Sequence, residues 1–144
     1  MIKRTLRIGS WVVDFLFATK SYDIDGILGC LYYAGASFST MKEAKKLMLE
    51  CEYDCGFTFS KVNEYSFINK DNHRAVLLVG PTSSGAEFLD SLVHEIHHLA
   101  VAIANELGVE LDSETPAYLS GDTIREFADI VCELGCDMCR DAIK

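Results

Sequence analysis

The residues best suited to chemistry lie in one short segment, residues 94–98, which reads His-Glu-Ile-His-His. His94 and His98 are one turn apart on a helix, so both imidazoles can bind a single Zn²⁺ ion. Glu95, next to the first histidine, can then act as general base toward a water bound to that metal. The segment predicts one zinc ion per chain and hydrolysis by a zinc-activated water.

The sequence around this segment predicts a helix over about residues 86–107, with Gly108 as its stop signal. With His94 at zero and about 100° of rotation per residue, His98 falls near 40° and Glu95 near 100°. Seven apolar residues fall between roughly 140° and 240° on the same wheel: Leu89, Leu92, Ile96, Leu99, Ala100, Ile103 and Leu107. The core face and the ligand face are therefore opposed, as expected for a helix that lines a cleft.

His97 is the alternative to His98 as second ligand, because histidines three residues apart on a helix can also chelate a metal. His97 falls near 300° on the wheel, about 160° from Glu95. Choosing it would separate the metal from its base. We therefore expect His94 and His98 to bind the metal and His97 to lie outside the ligand set.

A catalytic zinc site has a third protein ligand and keeps a fourth position for water. Glu114 is the leading candidate, because it follows Gly108, where the chain can reverse and bring a second helix against the first. Ser113 is placed to cap that second helix. Three further acidic residues compete for the same role: Glu110, Asp112 and Asp122.

These residues resemble the gluzincin class of zinc metallopeptidases, and especially small peptidase-like proteins of phages and mobile elements. The resemblance covers about residues 75–125 and is carried by His94-Glu95-x-x-His98 followed by Glu114-x-x-Ala117-Tyr118-Leu119. It implies hydrolysis of peptide bonds, with a peptide or protein as substrate. It also implies that residues 75–79, the strand before the motif helix, form an edge strand that pairs with extended substrate.

Two positions near the third ligand differ from the better-known gluzincins, which place an Asn before that Glu and an Asp four residues after it. This chain has Ser113 and Tyr118 at those positions. We expect Tyr118 to point toward the metal site as a hydrogen-bond donor, with packing between the two helices as its alternative role. Asp122 is a second candidate for contact with the metal ligands or the substrate.

The sequence before residue 56 predicts one strand and two helices. Residues 5–17 alternate in apolar character and predict a single strand, with Gly9-Ser10 as a bulge. A first helix begins near Ile24 and ends at Gly35. A second begins at Thr40, which forms a capping-box pattern with Glu43, and Gly56 is its stop signal.

The remaining elements complete the predicted fold. Three short strands in an antiparallel meander are expected at residues 56–59, 65–68 and 75–79, with a turn at 70–72. A last helical region runs from about 113 to 139, with a break near Gly121-Asp122. We predict one α+β domain of zincin type over residues 1–144, in which helices pack on one side of a small antiparallel or mixed sheet.

Composition restricts the classes of function. The chain has 144 residues, of which 49% are hydrophobic and 24% charged, as in a packed globular domain. A net charge of −9 without a run of Lys or Arg disfavours nucleic-acid binding. No segment approaches the roughly 20 apolar residues of a membrane helix, and Asp14 interrupts the apolar stretch that a secretory signal requires. These features predict a cytoplasmic protein without a membrane or nucleic-acid partner.

The six cysteines are expected to be reduced thiols or metal ligands rather than a disulfide framework. Cys132, Cys136 and Cys139 form a C-x-x-x-C-x-x-C pattern, and Cys51 and Cys55 share its four-residue offset at the end of another helix. The two groups either meet in a second, structural metal site or are free thiols. Cys30 is expected in the core.

The competing functional hypothesis is a non-catalytic zinc-binding module. In that case the same ligands hold a structural zinc ion, and the protein works by binding a protein partner. A structural zinc site is closed by four protein ligands, whereas a catalytic site keeps one position open for water. The negative charge of the chain would suit a basic partner.

Overall fold

The structure is a computed structural model that describes residues 1–62 and 73–142. These residues form an α+β fold with a four-stranded mixed sheet and six helices. The strands are β1 (Ile2–Ile8), β2 (Trp11–Phe17), β3 (Gly56–Val62) and β4 (His73–Val79). The helices are α1 (Ile24–Tyr33), α2 (Phe38–Glu50), α3 (Gly85–Leu107), α4 (Glu114–Glu126), α5 (Ala128–Leu134) and α6 (Asp137–Ala142).

β1 and β2 form an antiparallel hairpin, so the prediction of one bulged strand over residues 5–17 is wrong. Gly9 and Ser10 are the two residues of the turn, and Gly9 has a φ of +59°. Two-residue hairpin turns need a positive φ at this position, which favours glycine. A bulge and a tight reversal both shift the apolar pattern by one residue, so the alternation does not distinguish them.

The strands are ordered β1-β2-β4-β3, with β2 and β4 parallel and the other two pairs antiparallel. β4 is therefore internal and β3 lies at the edge, so the expectation that residues 75–79 form an edge strand is wrong. All five of these residues are buried, because β4 has a strand on each side and helices on both faces. A continuous apolar run is typical of such a central strand.

The predicted meander is also corrected by the pairing of β3 with β4. These strands pair directly, from Gly56 opposite Val79 to Val62 opposite His73, with no third strand between them. The predicted strand at residues 65–68 and the predicted turn at 70–72 lie outside the described residues.

Helices cover both faces of the sheet rather than one. On one face, Phe15 and Leu77 belong to a hydrophobic core that includes Leu92 and Ile96 of α3 and also Phe127. On the other face, strand residues pack against α1 and α2 in a second core, which contains Leu16, Val76, Leu78, Ile27, Leu31 and Met48. α3 packs on the sheet near the edge formed by β3, and it contacts both β3 and β4.

Two helix boundaries differ from the predictions. α2 begins at Phe38, because the Ser37 hydroxyl accepts a hydrogen bond from the Thr40 N–H at 3.1 Å and so caps the helix one turn earlier. α4 continues through Gly121, and the chain breaks instead at Phe127, whose ring lies 4.5 Å from that of Phe15 in the core. Gly121 is tolerated inside α4, because a glycine in a helix costs only about 1 kcal/mol relative to alanine.

α3 confirms the predicted motif helix within one residue of each end. Gly108 ends it in the left-handed conformation, with a φ of +70°, as a glycine stop signal predicts. At 23 residues it is a long helix, and one of its faces carries the polar motif residues. Among the helices of residues 1–62 and 73–142, none is both long and apolar enough to cross a membrane.

Candidate metal centre

α3 turns the motif residues away from the core, as the helical wheel predicts. Leu92, Ile96 and Leu99 are buried against the sheet, whereas all three histidines of the motif are exposed. Two predicted core residues are exposed instead, Leu89 by 39% and Leu107 by 60%. Leu107 is the last residue of the helix, and Leu89 follows Phe88, which occupies the core position at this end of α3.

His94 and His98 point toward the same position in space. Their Nε2 atoms are 3.2 Å apart and their ring centroids are 4.8 Å apart. Two nitrogens that each lie about 2.0–2.1 Å from one tetrahedral zinc ion would be separated by about 3.3 Å. The pair therefore has the spacing of a two-nitrogen chelate, although a hydrogen bond between the two rings would have a similar length.

His97 lies to one side of this pair. Its ring centroid is 6.3 Å from that of His98, and His97 does not line the cleft onto which the other two histidines open. The exclusion of His97 from the ligand set stays a prediction that zinc binding by variants will test.

Glu95 is held between α3 and the edge strand β3. It is only 5% exposed, and its Oε2 accepts a hydrogen bond from the Thr58 hydroxyl at 2.7 Å. A Cβ atom at Gly56 would lie 2.8 Å from Oε1 and 2.7 Å from Cγ of this glutamate. The absence of a side chain at Gly56 thus makes room for the carboxylate, and Thr58 holds one of its oxygens.

Neither Gly56 nor Thr58 was identified from the sequence. The sequence pattern predicts Gly56 as a helix stop at the start of a strand, and Thr58 as a residue of that strand. Gly56 and Thr58 contact the Glu95 carboxylate only because β3 lies beside α3. The pairing of β3 with β4 places β3 there. The sequence feature that points to their shared contact is their spacing, since residues two apart in a strand lie on the same face.

A cleft of about 430 Å³ separates β3 from the motif face of α3. Its lining residues are Gly56, Phe57, Thr58, Ser60, His94, Glu95 and His98. In the described part of the chain, β3 pairs only with β4. The other side of β3 therefore presents backbone N–H and C=O groups that an added strand could pair with.

A second cavity of about 340 Å³ extends from the same residues toward Asp54 and Asp90. Gly56, His94 and Glu95 line both spaces, which makes them parts of one groove. The hydroxyl and the backbone N–H of Ser83 donate to the Asp54 carboxylate at 2.7 and 2.8 Å. These hydrogen bonds lower the pKa of Asp54, so this end of the groove carries negative charge.

The structure does not bring the predicted third ligand to the two histidines. Glu114 is the first residue of α4 and is exposed. Across residues 1–62 and 73–142, no three His, Cys, Asp or Glu side chains lie close enough to hold a metal ion together. The same finding applies to the competitors Glu110 and Asp112. Ser113 occupies the cap position of α4, but its hydroxyl donates to the Glu110 carbonyl instead of capping the helix.

The two other residues predicted near the metal are on α4. Tyr118 is 67% exposed. Asp122 accepts a hydrogen bond from Arg125 at 3.0 Å and lines a cavity with Leu6 and Ile8 of β1. Because β1 and β3 are at opposite edges of the sheet, this cavity is distinct from the cleft beside β3. The predicted roles of Tyr118 and Asp122 in the site stay predictions.

The cysteines only partly match the expectation of reduced thiols or metal ligands. Cys51 and Cys55 are joined in a disulfide, so that expectation is wrong for this pair. The other four cysteines are free: Cys30, Cys132, Cys136 and Cys139. Cys30 is buried in the core, as predicted. Among the described residues no three potential ligands converge, so the alternative in which the two cysteine groups share a second metal site gains no support.

The α+β fold with its mixed sheet agrees with the coarse prediction from sequence. Comparison of the chain with protein-family models, with curated proteins and with solved structures finds no match. The resemblance to gluzincins stays a prediction that rests on the motif residues of α3 and the first turns of α4.

Proposed function

We propose that the protein is a zinc-dependent peptide hydrolase in which His94 and His98 bind the metal and Glu95 is the general base. The supporting observation is the 3.2 Å separation of the two Nε2 atoms, on a cleft that also contains a buried carboxylate. An isolated histidine pair on a helix surface would not need that carboxylate or the cleft.

Zinc bound by these histidines would supply a Lewis acid that polarises a carbonyl group and acidifies a water molecule. Glu95 is suited to take the proton of that water. Thr58 engages its Oε2, which leaves Oε1 to accept the proton and then deliver it to the leaving amine. Burial of Glu95 and its bond to Thr58 restrict the carboxylate to one orientation, and this preorganisation favours proton transfer.

We further propose that β3 replaces residues 75–79 as the strand that binds substrate. An extended peptide can add to an exposed sheet edge through main-chain hydrogen bonds. Thr58 and Gly56 on this strand contact Glu95, so a peptide along β3 would run past the general base. The same groove continues to Asp54 and Asp90.

Glu114 remains the proposed third ligand. It stands at the start of α4, after the loop that follows Gly108, and is exposed. It can join the histidines only if the first turn of α4 or the Glu114 side chain rearranges. Metal binding commonly drives such ordering, because the binding free energy offsets its cost.

Zinc content and peptide cleavage together test this proposal. We expect about one zinc ion per chain after dialysis, with loss of zinc and of cleavage in His94→Ala and in His98→Ala. His97→Ala is the matched control and should keep both. Equal zinc loss in all three variants would contradict the ligand assignment.

A parallel pair of variants tests the third ligand. Glu114→Ala should weaken zinc affinity by more than about 10–100-fold, the loss typical when a residue that only supports a metal ligand is removed. Glu110→Ala should leave the affinity unchanged, and the opposite result would move the ligand to Glu110. A zinc-bound structure with four protein ligands, in a chain that cleaves no peptide of a broad library, would instead support the non-catalytic binding module.

A further inference from the structure

Cys136 and Cys139 form a C-x-x-C pair that the proposed hydrolase site does not use. They lie at the start of α6, where the Arg140 N–H donates to the Cys136 carbonyl at 2.9 Å. This bond makes Cys136 the residue immediately before the helix. Both cysteines are free thiols, with Cys139 exposed and Cys136 half-buried, so small reagents can reach them.

The two thiols are placed to form a disulfide. Residues three apart in helical geometry have Cα atoms about 5 Å apart, within the range of about 4.4–6.8 Å that disulfides require. The two thiols also interact with each other, since each is among the causes of the other's pKa shift. Joining the sulfurs therefore needs side-chain rotation rather than movement of the backbone.

The surroundings of the pair assign different roles to the two sulfurs. The Cys139 N–H, the Cys139 thiol and the Met138 N–H donate to the Cys136 sulfur and lower its pKa, although the Asp137 charge opposes them. The same hydrogen bond raises the pKa of Cys139, as do Cys132 and Glu133 nearby. Since the thiolate is the reactive form, these directions favour Cys136, the residue before α6, as the attacking cysteine and Cys139 as the resolving one.

Contacts that involve no sulfur hold α6 in place. Asp137 accepts a hydrogen bond from the N–H of Gly85 at 2.7 Å. The Arg140 guanidinium donates to the hydroxyl of Thr82 at 2.7 Å, to the Thr82 carbonyl, and to the Leu134 carbonyl at 2.9 Å. These bonds attach α6 to the end of α5, to the start of α3 and to the loop before it, and none of them uses a cysteine sulfur.

We propose that Cys136 and Cys139 are a redox-active dithiol that forms an intramolecular disulfide by exchange with a small disulfide such as glutathione disulfide. The Cys136 thiolate attacks one sulfur of the small disulfide, forms a mixed disulfide and expels one glutathione thiolate. Cys139 then loses its proton to solvent, attacks the Cys136 sulfur and expels the second thiolate. The protein loses two electrons and two protons, and one glutathione disulfide becomes two glutathione molecules.

The test uses the full-length protein, reduced, freed of metal and equilibrated in glutathione buffers of defined ratio. Quenching, alkylation and peptide mass spectrometry then identify each disulfide, and they separate this pair from Cys51–Cys55. We expect Cys139→Ser to accumulate glutathione on Cys136, and Cys136→Ser to react with glutathione at Cys139 at least about tenfold more slowly. Cys132→Ser is the matched control and should form the Cys136–Cys139 disulfide as the wild type does.

Three results would overturn the proposal. The first is a disulfide of Cys132 with either partner that forms before Cys136–Cys139. The second is an equal rate of glutathione addition in Cys136→Ser and Cys139→Ser, with both variants shown to be folded by circular dichroism. The third is retention of these thiols by a bound metal, detected as protection from alkylation that a chelator removes.

Discussion

The hydrogen bond between Thr58 and Glu95 connects the edge strand to the motif helix, and its removal has a calculable effect on stability. Thr58→Val keeps the shape of the side chain and deletes the hydroxyl. The Glu95 oxygen that accepted this bond at 2.7 Å would then lack its partner while the residue stays 5% exposed. A buried acceptor without a partner loses its hydration and gains no bond in return.

The expected loss follows from the charge and the burial of the pair. A hydrogen bond to a charged group contributes about 1.5–3 kcal/mol. Because Thr58 itself is only half-buried, water can replace part of the bond, and we expect the lower end, about 1.5–2 kcal/mol. For a chain of this length the corresponding decrease in Tm is about 5 °C.

A double-mutant cycle isolates this interaction from other effects of the substitution. The free energy of unfolding is measured by urea denaturation for the wild type, Thr58→Val, Glu95→Met and the double variant. In the Glu95→Met background, Thr58→Val should cost less than about 0.5 kcal/mol, because the acceptor is gone. Thr58→Ser should retain most of the stability. A coupling energy near zero would refute the placement of Glu95 against β3.

Two further predictions concern neighbouring residues. Gly56→Ala should destabilise the protein by about 1–3 kcal/mol in urea denaturation, because the added Cβ would clash with Glu95. The control Gly29→Ala, in α1, has no atom within 4 Å of the added Cβ and should be neutral or stabilising. An equal loss of stability in both variants would contradict the clash. The lowered pKa of Asp54 in the folded state gives stability that is lost as pH falls below 3.8, the ordinary pKa of this carboxyl, and the group is protonated. Ser83→Ala removes the hydrogen bonding of the Ser83 hydroxyl and should therefore weaken the dependence of Tm on pH in this range. Identical curves of Tm against pH for Ser83→Ala and the wild type between about pH 2 and 5 would exclude this contribution.

The parts of the fold that follow from local pattern were predictable. α3 has a helical apolar period, a glycine stop signal and a polar motif face, and the structure confirms its position within one residue of each end. The opposed faces that place His94 and His98 together also follow from helical geometry alone. α1 is similarly marked by its apolar spacing and by the glycine after it.

The parts that depend on long-range pairing were not predictable from one sequence. The continuous apolar run of residues 75–79 indicates a strand that is buried on both faces, but it does not identify the strands that pair with β4. Glu95 gains its partner Thr58 only because β3 lies at the edge beside α3. The position of Glu114 likewise depends on how α4 packs, since spacing along the chain indicates a reversal but not its geometry.

The central claim is that Glu95 is a general base and not a metal ligand, and Glu95→Gln tests it most directly. Glutamine keeps the shape of the side chain and can still accept the hydrogen bond from Thr58, but it cannot take a proton. We predict that this variant retains wild-type zinc content and stability, and loses cleavage of an unstructured polypeptide library by at least about 10²-fold. Undiminished cleavage by Glu95→Gln at wild-type zinc content would contradict the mechanism.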